Sequence, residues 1–169
     1  MIELKRIFPE CNADTMLAEL ILQRGKPAHY KGITKVCNAL INFDGGEFAI
    51  GIIDTDKFKR DDGPINKFSE EIENKINTEG LVIRKIPLSN KHVIRLHPGF
   101  EKWIWGLSEQ CDITPSDYGF NTIEDLMRAS KQNQAGEHKN LKKFVNDIVA
   151  SNPLAIQTLR TWLQKVFDN

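Results

Sequence analysis

Four acidic residues stand where two apolar segments give way to polar ones. In Phe8-Pro9-Glu10-Cys11-Asn12-Ala13-Asp14, the carboxyl groups of Glu10 and Asp14 follow the first short apolar run. In Gly51-Ile52-Ile53-Asp54-Thr55-Asp56, two more close the most apolar stretch of the chain. Open α/β sheets bind ligands outside the carboxyl ends of their strands, so acids at two such ends are candidates for chemistry. Alternation along an extended chain puts Asp54 and Asp56 on one side. With a third carboxylate from a neighbouring strand they make an oxygen-lined cage suited to Mg2+ or Mn2+. Each acid also has a plainer role. Asp14 falls in the first turn of a predicted helix, where negative charge favours the macrodipole. Asp54 and Asp56 suit a turn, and Glu10 suits a solvated strand end.

The elements that must hold these acids follow from the pattern of apolar residues. Leu4 to Phe8 predicts a first strand, and Asn12 is the expected N-cap of a helix reaching about Gln23. Met16, Leu17, Leu20 and Ile21 form that helix's stripe, and Gly25 closes it. Ile33 to Ile41 predicts a second helix. The turn signal Asp44-Gly45-Gly46 introduces Phe48–Ile53, an almost continuous apolar run expected of a strand buried on both faces. Ile65 to Asn77, with Phe68, Ile72 and Ile76 in helical spacing, predicts an amphipathic helix. Leu81 to Ile86 and His92 to Leu96 predict strands. Beyond Pro98 the pattern is helical: Phe100 to Gln110, a short helix capped by Asn121, Leu141 to Val149, and a last helix after Asn152-Pro153. The expectation is an α/β fold with a mostly parallel sheet of about four strands flanked by helices. Residues 1–97 form its core, and 98–169 a helical extension packed on the same domain.

The segments Ile7-Phe8-Pro9-Glu10, Asp14 and Ile50-Gly51-Ile52-Ile53-Asp54-Thr55-Asp56 together resemble the Toprim family. That domain is the catalytic unit of topoisomerases and DnaG-type primases and occurs also in OLD-family and related RNase-type nucleases. The resemblance implies a Rossmann-like fold and Mg2+- or Mn2+-dependent hydrolysis of nucleic-acid phosphodiesters, DNA or RNA. It implies a role in bacterial defence or DNA processing. It casts Glu10, Asp14, Asp54 and Asp56 as metal ligands, and Glu10, Asp54, Asp56 and Lys57 as the catalytic set. Glu101, in His97-Pro98-Gly99-Phe100-Glu101, resembles a further acidic position of the OLD-like members. Lys31, Lys35, Lys59 and Arg60 would hold phosphates. Two loop positions depart from the family: Cys11 stands where glycine commonly follows the first acid, and Lys57-Phe58-Lys59-Arg60 stands where a glycine often follows the Asp pair. These departures leave open a Toprim-like module without catalysis, acting through its helical extension on a protein partner or a second copy. A haloacid-dehalogenase-like phosphatase also uses Asp-x-Asp after an apolar strand. In that family the motif usually begins the chain and a later Gly-Asp-x-x-x-Asp completes it, conditions this sequence does not meet.

Composition narrows the remaining classes. Lys plus Arg and Asp plus Glu both total 23 in 169 residues, so the formal net charge is zero. Nucleic acid would therefore have to be met by a local basic patch rather than by bulk charge. Forty per cent of the residues are apolar, enough for a real core, and the length suits one domain. The three cysteines, Cys11, Cys37 and Cys111, form no CxxC pair, and the four histidines show no ligand spacing. The GxxxxGK[ST], GxGxxG and GxSxG motifs are absent. No apolar run is long enough to span a bilayer, and Met1–Arg6 lacks the layout of a signal peptide. A cytoplasmic protein without a membrane segment is expected.

Overall fold

The computed structural model describes residues 3–44, 46–55, 63–131 and 138–168. Its frame is β2 (Ala49–Asp54), the strand expected from the apolar run, with every residue from Ala49 to Ile53 buried. β1 (Ile7–Pro9) and β5 (Lys91–Leu96) flank it, both parallel to it, with Phe8 opposite Gly51 and Gly51 opposite Val93. β4 (Leu81–Lys85) runs antiparallel to β5, and β3 (Glu70–Lys75) antiparallel to β4. The sheet order is β1-β2-β5-β4-β3. Four of the five strands thus point the same way, and the carboxyl ends of β1, β2 and β5 lie along one rim of the sheet.

Alternation along β2 divides the core in two. Ile50 and Ile52 pack into a large cluster with α1 (Asn12–Leu22), α3 (Phe100–Gln110), α4 (Ile123–Ser130), α5 (Lys139–Ser151) and α6 (Leu154–Asp168). The helices after Pro98 therefore share one core with α1 and the sheet. Ala49 and Ile53 face the other way, against α2 (Ile33–Ile41) and Phe68. Gly51 lies on that second face. A Cβ there would stand 2.7 Å from Val36 Cγ1 and 2.9 Å from Leu40 Cδ1, so the missing side chain sets how closely α2 seats on β2. Among the described residues no helix is long and apolar enough to cross a membrane.

Three expectations are corrected. The segment Ile65 to Asn77 is not a helix: Gly63–Lys67 is a 3-10 turn and β3 follows. The helical spacing is real, but only Phe68 uses it, being buried, while Ile72 is 38% exposed. The register shifts between Glu71 and Glu73, which makes Ile72 the extra residue of a bulge. Strand pairing joins the segment to β4 and matches charges across the ladder, Lys85 with Glu70 at 3.3 Å and Arg84 with Glu71 at 3.6 Å. The first strand is also shorter than expected, since Glu3–Arg6 forms a 3-10 turn. Arg6 holds that turn by donating to the Val166 carbonyl at 3.3 Å and pairing with Glu47 at 2.8 Å. Finally, the caps move by one residue: Cys11, not Asn12, caps α1, and Thr122, not Asn121, caps α4. The end of α1 falls at Gln23, in the left-handed region, ahead of Gly25.

Two measurements check this packing. Gly51→Ala should cost about 1–3 kcal/mol in urea unfolding. Combined with Val36→Ala it should cost less than the sum, because the second change opens the space that the first fills; strict additivity would contradict the contact. His92, buried and stacked on Phe48 with ring centroids 4.6 Å apart, is pushed down to about 4, chiefly by burial and further by Lys165 and Lys85. Its folded value lies below its unfolded one, so its contribution is complete above about pH 6.5 and is lost as pH falls towards 4. His92→Gln should flatten the stability-against-pH curve across that window.

Candidate functional site

Glu10 is carried to the rim by the ladder itself, because its N–H donates to the Ile52 carbonyl at 3.0 Å. One residue earlier, Pro9 offers its carbonyl to the Tyr30 N–H at 2.8 Å, which ties the following loop to the end of β1. The Glu10 carboxylate then turns across to β2, where Oε2 accepts from the Asp54 N–H at 3.0 Å. Asp54 ends its own strand, and its Oδ1 accepts from the Phe100 N–H at 2.9 Å in the first turn of α3. Gly99 makes this approach; its φ is +128°, and a Cβ there would lie 4.0 Å from the Asp54 carboxylate. Two acids from adjacent parallel strands are thus seated side by side, one of them on a helix N-terminus.

Asp14 adds a third carboxyl group. It is fully buried in the first turn of α1. Oδ2 accepts from the Cys11 N–H at 3.2 Å and from the Cys11 thiol at 3.1 Å, while Oδ1 has no hydrogen-bond partner. Burial holds the Asp14 carboxyl well above the usual carboxylate range; the charge of Asp54, and then of Glu10, pushes it the same way. The Cys11 hydrogen bonds oppose that shift. Burial, with Asp14 beside it, likewise raises the Cys11 thiol, so it remains a protonated donor. On the other side of Glu10, the Cys37 thiol is pushed up to about 12, first by burial and then by the Glu10 charge, against the pull of Arg95.

A cleft of about 320 Å³ opens beside Asp54, lined by Cys11, Asn12, Ala13, Asp54, Glu101, Ser130 and Lys131; Glu10 and Asp14 do not line it. Glu101 accepts from the Ser130 hydroxyl at 2.5 Å, which joins α3 to the end of α4. Of the residues singled out in the sequence, Glu10, Asp14 and Asp54 come together, and Glu101 shares the cleft with Asp54. Lys31 and Lys35 are exposed on the segment that follows Tyr30, where the Gly32 N–H reaches the Glu10 carbonyl at 3.5 Å. Asp56, Lys57, Lys59 and Arg60 lie outside the described residues. Among the described residues, no group of three His, Cys, Asp and Glu side chains is gathered closely enough to hold a metal ion. In this arrangement the carboxylates turn to backbone amides instead. Ser130 and Lys131 carried no signal in the sequence, since only tertiary packing brings the end of α4 over the rim. Cys11 was legible as a departure from a pattern, not as the helix cap that it is.

No protein-family model matches the chain, and neither a curated protein nor a solved structure matches it.

The buried Asp14 sets a pH dependence of definite sign. Its folded value lies above the ordinary 3.8, so over the window above 3.8 the folded chain holds a proton that the unfolded chain has lost. Stability therefore falls as pH rises through that window. In buffer containing EDTA, Asp14→Asn should be more stable than the parent at neutral pH, with the gap closing towards pH 4. Urea unfolding at a series of pH values reads this directly, and parallel curves for the two proteins would contradict the buried charge.

Proposed function

We propose that this chain is a divalent-metal-dependent phosphodiesterase of Toprim-like design that acts on nucleic acid. The observation that carries the reading is the meeting of Glu10 and Asp54, from two parallel strand ends, above a buried Asp14 with one unmatched oxygen. A carboxyl group that pays for burial, repelled by two others, is a poor structural element and a good cation ligand once the charge is compensated. The donors are of the kind a hard cation takes, all oxygen from two strand ends and one helix, with Asp56 two residues beyond Asp54 in sequence, and the described ones would have to draw closer together to bind it. Glu10, Asp14, Asp54 and Asp56 would hold it, with Glu101 as a further ligand. Magnesium or manganese there supplies a Lewis acid for the scissile phosphate and a lowered pKa for water.

The chain's own residues then divide the remaining work. The Phe100 N–H orients Asp54, and the Asp54 N–H orients Glu10, so both carboxylates are preset by backbone. As an alternative to holding the metal, Glu10 would serve as general acid or base. Lys131, on the far rim of the cleft, draws phosphate toward the acids and offsets charge that grows in the transition state. Lys31 and Lys35 flank the same end of β1, and Lys57, Lys59 and Arg60 follow the Asp pair as further phosphate ligands.

A second reading is favoured by the hydrogen bonds themselves. Each of Glu10, Asp14 and Asp54 already accepts a backbone N–H, as a Toprim-like module without catalysis would have it, its helical extension serving a partner or a second copy. Thermal melting with and without manganese, beside digestion of labelled single- and double-stranded DNA and RNA, separates the two. The hydrolytic reading expects manganese to raise Tm by several degrees, and Asp54→Asn to abolish both that rise and at least about 99% of hydrolysis. A rise in Tm with no hydrolysis of any substrate selects the non-catalytic module. Melting that is indifferent to manganese overturns the metal site.

A further inference from the structure

β1 is an edge strand, and a second, larger cleft lies along it. Its volume is about 590 Å³, within the range of small-molecule sites. Its walls are aromatic: Phe8 is buried at the floor, its ring centroid 5.2 Å from that of Tyr30 and 5.7 Å from that of Phe43. Tyr30 and Phe43 are both half-buried, so each keeps part of its surface open. Lys5 and Lys26 are exposed at the rim, and the only carboxylate among the described lining residues is Asp44. Asn42, beside Phe43, supplies an amide with both donor and acceptor.

We propose that this cleft is a stacking subsite for an unpaired nucleobase, so that the neighbouring carboxylates act on single-stranded nucleic acid. The inference rests on the reading of that site as one that acts on nucleic acid. An apolar peptide would use the aromatic walls but would gain nothing from two lysines. A flat heteroaromatic ring linked to phosphate uses both, along with the amide. The base faces of a duplex are covered by their neighbours, so only an unpaired strand can present one to Tyr30 or Phe43.

The cleft shares no lining residue with the one at Asp54, but backbone bonds tie its wall to Glu10. The loop that forms its wall, residues 26–30, is fastened to β1 through Tyr30 and Pro9, and two residues later Gly32 reaches Glu10. Phe8, at the floor, is two residues of extended chain from Glu10, or about 7 Å. Lys31 and Lys35 are exposed as well, on the segment that follows Tyr30. A strand with one base in the cleft would reach the carboxylates along the end of β1.

Fluorescence anisotropy in EDTA tests the subsite without any hydrolysis. The probes are labelled dT and rU 12-mers and a labelled DNA duplex. The full chain should bind one or both single strands at least about tenfold more tightly than the duplex. Phe43→Ala should weaken single-strand binding by about tenfold, and Phe43→Trp should restore it. Lys26→Glu, an exposed change that leaves the fold intact, should weaken binding and reduce the slope of log K against log salt by about 0.7 or more. Equal or tighter binding of the duplex overturns the proposal, as does parental affinity in both Phe43→Ala and Lys26→Glu. Sedimentation that finds a dimer abolished by Phe43→Ala would assign the cleft to a second copy and overturn it too. Failure of the hydrolytic reading looks different: single-strand binding and its dependence on Phe43 persist while manganese supports no cleavage.

Discussion

The candidate site is organised around the burial of one carboxyl group. Asp14 sits at the junction of β1 and α1 with no exposure to water, held by the amide and thiol of Cys11 through one oxygen only. Two further acids stand above it and raise the cost of ionising it. A chain selected only for stability would place an apolar or a fully matched residue here. What offsets the cost is local: the N–H of Cys11, the N-cap of α1, donates to the group, and the Cys11 thiol stays protonated to donate to it as well. The unmatched oxygen is the feature that gives the carboxyl cluster its proposed use.

Everything that brings Glu10 and Asp54 to the same place follows from parallel strands. Because β1, β2 and β5 run together, their carboxyl ends lie on one rim, and the helices that follow β1 and β5 begin there. Gly51 lets α2 close one face of β2, and the other face is closed by α1 with the helices of the C-terminal half. That half does more than cover the sheet, since α4 ends over the cleft with Ser130 bonded to Glu101.

The parts of this arrangement with a strong local signature were legible in the sequence. β2 was, because an apolar run between turn chemistry is a buried strand; α2 was, to both of its ends. The acids at the strand ends could be named because strand ends can be read. The segment from Ile65 to Asn77 could not: Phe68, Ile72 and Ile76 satisfy a helical period, and nothing local reveals that Glu70 and Glu71 find Lys85 and Arg84 across a ladder. The aromatic cleft beside β1 depends on Phe8, Tyr30 and Phe43, residues brought together only by the loop between α1 and α2 and by the segment after α2.

The central claim is that the carboxyl cluster is a cation site awaiting its ion's charge rather than a set of backbone caps. Anomalous diffraction at the manganese edge, from crystals of the parent chain grown with Mn2+, tests it most directly. The account predicts a single peak at the rim of β1 and β2, within direct-ligand reach of the buried Asp14 oxygen that now has no partner. Ordered density for Glu10, Asp14 and Asp54, each keeping its bond to a backbone amide and with no manganese peak between them, would contradict it.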